Sequence, residues 1–365
     1  MPVTAPPNPT GIPHVATSPR PDSRLRAYGH FLVALFYFFL ARALARHGAL
    51  GLANDQWSPV TEQAMLAFLL IFGYAGLGFT LNHQPHPIGA QGLPGRPGWP
   101  REFAYGLSIG WGIAAICVLA MALFGGIVIS LSFSLSNWGW LLADTAFFAL
   151  LTLAEEVAFR GYAFQRFARA TGPAGAIFGF SLLYAFLESM RPGATHSTAA
   201  VAFLFSVVLS AAYLRTRALW VSWGLNFGWK ATRAILFGLA VQGNSSHSPI
   251  LQGDPTGAFW LTGGGFGLES SWFAFLVLLA ALPIVFRATR ELDFRYNAPE
   301  LIPGGIPIDI DAAARRQHEA AMGPSQPAPT ALVQIGGLPG ANGEAAPAAG
   351  VEPETTPPET GNETP

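Results

Sequence analysis

Six polar side chains stand in stretches where the rest of the sequence is apolar, and their types are those of hydrolytic chemistry. Adjacent carboxylates, Glu155 and Glu156, precede Arg160 in the run Leu153-Ala154-Glu155-Glu156-Val157-Ala158-Phe159-Arg160-Gly161-Tyr162, and Glu188, Asn226 and Lys230 follow. Lys230 is the only lysine in the chain. A charged side chain at mid-bilayer costs roughly 2.5–3.5 kcal/mol even on lenient insertion scales, so charge in such a place carries a functional expectation. A desolvated glutamate can act as general base toward water. On a helix Glu156 and Arg160, four apart, share a face, while Glu155 points about 100° away. Glu156 is thereby free to make a structural pair with Arg160 while Glu155 faces a cavity. Asn226 and Lys230 are also four apart, so one helix face presents both, and amide and ammonium groups are competent oxyanion donors.

Such groups need a scaffold that crosses lipid, and the composition supplies one. Of 365 residues, 51% are hydrophobic and only 11% charged, with a mean hydropathy of +0.37. A soluble protein carries about twice that charged fraction. The apolar residues cluster into runs near the length, on the order of 20 residues, that crosses a hydrocarbon core. The reading is an all-α polytopic membrane bundle of about eight transmembrane helices, near 28–46, 61–82, 104–124, 138–154, 174–190, 197–214, 218–241 and 269–287. Arginine placement orients it, because Lys/Arg excess marks cytoplasmic loops. With both termini cytoplasmic, that side holds Arg20, Arg24 and Arg26, then Arg96 and Arg101, Arg166 and Arg169, Arg215 and Arg217, and finally Arg287, Arg290 and Arg295. Arg191 is the main exception.

Residues 1–25 read as a disordered proline-containing arm without the apolar core of a secretory signal, 28–290 as the transmembrane domain, and 292–365 as a disordered Pro/Ala-rich tail. Residues 164–170, ended by Gly172-Pro173, read as an amphipathic interfacial piece, and 242–267 as a long loop. The absence of an internal repeat argues against a transporter built from duplicated halves. A net charge of -1 gives no support to nucleic-acid binding. The single cysteine, Cys117, excludes an intrachain disulfide and a multi-cysteine metal site, and reads as a packing residue. His196 reads as interfacial, and His247 as a solvated loop residue.

Glu155-Glu156-x-x-x-Arg160-Gly161-Tyr162 resembles the first motif of the CPBP family, the CAAX-protease and bacteriocin-processing intramembrane endopeptidases also called ABI proteins. Ser181-Leu182-Leu183-Tyr184-Ala185-Phe186-Leu187 resembles the helix that ends in the family's second-motif histidine, where this chain has Glu188. Ala212-Tyr213-Leu214-Arg215-Thr216 and Leu219-Trp220 resemble the approach to the third motif, His-x-x-x-Asn or Asp. Here that motif reads Asn226-Phe227-Gly228-Trp229-Lys230. Over roughly 104–286 the resemblance implies an endopeptidase of a bacterial cytoplasmic membrane that cleaves a membrane-bound or lipidated protein near the bilayer surface. It also implies that the first-motif glutamate and second-motif histidine activate water, and that the third motif serves a metal or an oxyanion hole. Both family histidines are replaced, so the cofactor stays open. The family implies a possible zinc, whereas two carboxylates and an amide offer only hard oxygens.

Two accounts of the replacements follow. In the first the site works without metal: Glu155 and Glu188 share a proton as a carboxylate pair, one acting as base, while Asn226 and Lys230 stabilise the oxyanion. In the second Lys230 neutralises Glu155 or Glu188, and the chain is an inactive member that binds or scaffolds membrane partners.

Overall fold

The computed structural model describes residues 23–131, 138–243, 251–296 and 318. Helix α1 (Arg24–Leu52) starts where the Ser23 hydroxyl accepts from the Arg26 amide at 3.3 Å. It turns back as α2 (Ser58–Asn82), which ends on His83 with φ of 50°, followed by the single turn α3 (Pro87–Ala90). Then come α4 (Trp99–Leu123), strand β1 (Ile127–Leu131), α5 (Trp138–Arg160), α6 (Tyr162–Thr171), α7 (Pro173–Ser189), α8 (His196–Thr216) and α9 (Leu219–Ala231). A π-helical turn (Thr232–Leu236), strand β2 (Leu251–Pro255), the short α10 (Phe259–Thr262), α11 (Trp272–Ala288) and α12 (Arg290–Tyr296) complete the described chain.

Each of the eight expected spans falls on one of these helices, and the protein is an all-α polytopic membrane protein. Helices α1, α2, α4 and α8 are long and apolar enough to cross a bilayer, and α7 and α11 are shorter apolar helices. The remaining two, α5 and α9, carry Glu155, Glu156, Arg160, Asn226 and Lys230. Phe36, Phe72, Leu119, Phe178, Phe186 and Leu276 lie exposed on the outside of the bundle. Such contiguous apolar exposure is what lipid requires of a surface. Inward, α1 buries a stripe of small residues, Ala27, Ala34, Ala41, Ala45 and Ala49. With no hydrophobic drive between helices in lipid, small residues let backbones approach and gain dispersion contacts.

Two features depart from the sequence reading. Residues 127–131, expected only as small and apolar, pair antiparallel with 251–255 from inside the expected loop, Ile127 opposite Pro255 and Leu131 opposite Leu251. The β-branched run Ile127-Val128-Ile129 favours a strand, but its partner lies more than a hundred residues away and leaves no local mark. The seventh span, expected to reach 241, leaves the α-helical path at Ala231, and Gly238 takes φ of 63°. The piece expected as interfacial falls within α6, where Tyr162, Ala163, Phe164 and Arg166 are buried on more than one side of the helix. His247 lies outside the described residues, as do residues 1–22 of the arm and nearly all of the tail, while α1 already begins at Arg24 and α12 continues past 292 to Tyr296.

The connections gather at two ends of the bundle. At one, the Leu219 amide donates to Gly92 O (2.7 Å), Gln165 Nε2 to Ala90 O (2.7 Å) and Arg215 Nε to Thr289 Oγ1 (2.8 Å). At the other, Trp57 stacks on Trp140 with centroids 5.4 Å apart, the Thr256 amide donates to Gly126 O (3.1 Å) and Ser197 Oγ to Ser270 O (2.7 Å).

Candidate active site

The tightest helix packing in the bundle places the third-motif residues. Gly106 and Gly110 of α4 lie on the backbone of α9 at Val221 and Leu225, and Gly224 and Gly228 of α9 lie on α4 at Phe103 and Leu107. A Cβ on Gly110 would overlap Leu225 O, and one on Gly228 would meet Leu107 O at 2.5 Å and the Trp111 amide at 2.9 Å. Each helix therefore presents a Gly-x-x-x-Gly seam to the other. Residues 226 and 230 fall on the face of α9 roughly opposite that seam, since a two-residue step turns a helix by about 200°. That face meets α5, where Trp223 Nε1 also donates to Ala149 O at 3.1 Å.

There the charged groups close on one another. Lys230 Nζ donates to both Glu155 oxygens, at 2.5 and 2.6 Å, and Asn226 Nδ2 donates to Glu155 Oε2 at 3.0 Å and Glu156 Oε1 at 2.9 Å. Asn226 thus bridges the two carboxylates. Arg160 Nη1 stands 3.4 Å from Glu156 Oε1, the i,i+4 pair read from the spacing. Its Nη2 is held more firmly on α8, by Ser206 Oγ at 2.8 Å and Ser206 O at 3.2 Å. Its guanidinium also lies over the rings of Phe159 and Tyr184.

Glu188 goes elsewhere. At the end of α7 its carboxylate pairs with Arg191 Nε at 3.0 Å, so the two carboxylates expected to share a proton each hold a separate cation. Arg191, the outlier in the arginine pattern, is thereby explained as the counter-charge of a buried glutamate. Burial opposes the Arg191 charge, but the Glu188 and Glu155 carboxylates outweigh it and raise its pKa above the usual arginine range. Glu188 and Lys230 still border one small internal cavity, together with Tyr184 and Glu269.

A further buried pair, Arg233 with Glu269, had no forewarning in the sequence reading. Arg233, in the π turn, donates to Glu269 through Nη1 (2.7 Å) and Nη2 (2.5 Å), and its Nε donates to Trp229 O (2.8 Å). The guanidinium lies 4.0 Å from the Trp229 ring centroid. A π turn inserts one residue into the helical repeat, which swings Arg233 toward Glu269. The available signal was an arginine three residues after Lys230 in an apolar run; its partner, beyond a long loop, gave none.

A cleft of about 520 Å³ runs between α1, α2 and α5, bordered by Phe38, Arg42, Glu62, Asp144, Leu151 and Arg191, and reaches Glu155. The Glu155 side chain keeps 12% exposure against 1% for Lys230, so the carboxylate is the one of the pair that faces the cleft. Glu156, Arg160 and Asn226 are wholly buried. His196 begins α8 and Cys117 is buried in α4.

The donor set does not fit zinc. No cluster of three or more His, Cys, Asp or Glu side chains suited to a metal occurs among the described residues. The carboxylate best placed to ligate has both oxygens engaged by an ammonium. Zinc sites want imidazole, thiolate or free carboxylate, and a cation placed here would meet the Lys230 charge.

The profile of a family described as type II CAAX prenyl endopeptidase Rce1-like matches residues 136–232. That span runs from the start of α5 to the end of α9 and includes all six candidate residues, while Arg233 adjoins its end and Glu269 lies well outside it. Neither the curated proteins nor the solved structures contain a match to the chain.

Proposed function

We propose, for a chain whose residues 136–232 form a CAAX-protease family domain, that it is a membrane endopeptidase whose Glu155 hydrolyses a peptide bond without zinc. The observation that supports this is the placement of Glu155 at the floor of the cleft with Lys230 and Asn226 on the same carboxylate. Water held by Glu155 gives it a proton as the oxygen attacks the scissile carbonyl carbon. The C–N bond breaks as the tetrahedral intermediate collapses, and the proton passes from Glu155 to the leaving amine. While the proton rests on Glu155, negative charge moves from that carboxylate to the carbonyl oxygen. Lys230 and Asn226, no longer held by an anionic Glu155, donate to the oxyanion instead. The ammonium thus faces one negative charge at every stage, which matters most in a low-dielectric site. Glu156, Arg160 and Ser206 hold the floor in place, and Glu188 with Arg191 flanks it. The substrate is a membrane-bound or lipidated protein, and the membrane a bacterial cytoplasmic one.

A second reading, binding of such a segment without cleavage, is favoured by one observation: Lys230 occupies both oxygens of the would-be base. The two readings part on hydrolysis of a quenched peptide library by the purified protein in lipid nanodiscs. Cleavage that falls at least 100-fold in Glu155→Gln supports the peptidase. Equal background from both proteins leaves the binding role alone.

A further inference from the structure

We infer that the cleft opens on the side of the membrane away from the cytoplasm, so that its occupant is a peptide segment presented at the outer surface. This rests on the reading of the cleft as the peptide site, and two independent patterns converge on it. The first is geometric. The cleft is bordered by Ser58, Pro59 and Glu62 at the start of α2, by Asp144 near the start of α5, and by Arg191 and Gln242 in the connections after α7 and α9. These all belong to the end of the bundle where Trp57 stacks on Trp140 and Ser197 binds Ser270. From Asp144 the wall follows α5 through Leu151 to Glu155, eleven residues or about 16 Å along the axis.

The second pattern is charge. The described connections at the cleft end are residues 53–57, 124–131, 190–195, 237–243 and 251–271, and Arg191 is the only Lys or Arg in any of them. Glu188 neutralises it, and α1 adds Arg42 and Arg46 before it ends. The opposite end carries Arg96 and Arg101, Arg166 and Arg169, Arg215 and Arg217, with further arginines at the start of α1 and at the junction of α11 and α12. Lys/Arg excess in short loops marks the cytoplasmic side. The arginine-rich end is therefore cytoplasmic, and the floor of the cleft is reached from the other surface.

Thiol labelling tests the sidedness without requiring activity, because Cys117 is the only native cysteine and is buried. In a Cys117→Ala background, Gln56→Cys reports the exposed loop at the cleft end, Gln63→Cys the cleft wall, and His86→Cys the exposed loop at the arginine-rich end. A membrane-impermeant maleimide should label Gln56→Cys and Gln63→Cys in right-side-out vesicles at least ten times faster than in inside-out ones. His86→Cys should show the reverse preference. Labelling of Gln56→Cys and Gln63→Cys only from inside-out vesicles overturns the inference, as does equal labelling from both sides. The expected labelling with no hydrolysis of any peptide would remove the peptidase reading and leave the sidedness intact.

Discussion

Lys230 and Glu155 form the central pair of the site, and their separation decides what each can do. An ammonium at 2.5 and 2.6 Å from both carboxylate oxygens is a bidentate ion pair shielded from water on the Lys230 side. Removing one partner of a buried pair leaves an uncompensated charge, which costs about 3–5 kcal/mol, whereas removing both is far milder. Lys230→Met should therefore lower the thermal stability of the purified protein by that amount, and adding Glu155→Gln should restore most of it. A Lys230→Met protein as stable as the unmodified one would show that the ammonium does not hold Glu155. Asn226 adds a role that spacing alone leaves invisible, since one amide nitrogen reaches Glu155 and Glu156 together and fixes the angle between them.

The α4–α9 seam determines whether the site residues arrive at all. Glycine in a helix interior ordinarily costs about 0.5–1 kcal/mol relative to alanine, a cost that close backbone approach offsets here. Gly110→Ala should destabilise the bundle by about 1–3 kcal/mol, the usual penalty for overpacking, because its Cβ meets backbone that cannot yield. Gly112→Ala, two residues on with nothing within 4 Å, should be neutral or slightly stabilising. Equal effects of the two in detergent unfolding would mean that helix propensity, not the seam, sets the outcome. The Arg233–Glu269 clamp plays a comparable part at the far end of α9, tying the π turn to the segment just before α11.

Across the whole molecule, lipid requires that each helix satisfy its own backbone and that charge be matched inside the bundle. Glu155 with Lys230, Glu156 with Arg160, Glu188 with Arg191 and Glu269 with Arg233 meet the second condition pair by pair. We propose that all eight apolar segments cross, which returns the chain to the side from which it began. A reporter fused after residue 296 should accordingly behave as a cytoplasmic one, with a fluorescent protein bright and alkaline phosphatase inactive. The opposite result would mean an odd number of crossings or the reverse orientation.

Hydropathy runs were enough to place eight helical segments, because length and polarity are local properties that a bilayer reads directly. The i,i+4 spacing likewise placed Glu156 beside Arg160 and Asn226 beside Lys230, since a helix has one period. Pairing between elements was not legible: that Lys230 takes Glu155 rather than Glu188, that β1 meets β2, and that Arg233 finds Glu269. Each joins residues whose proximity depends on how α4, α5, α7 and α9 pack and turn. A charge in an apolar run announces that it needs a partner, but only the tertiary structure selects which opposite charge comes within reach.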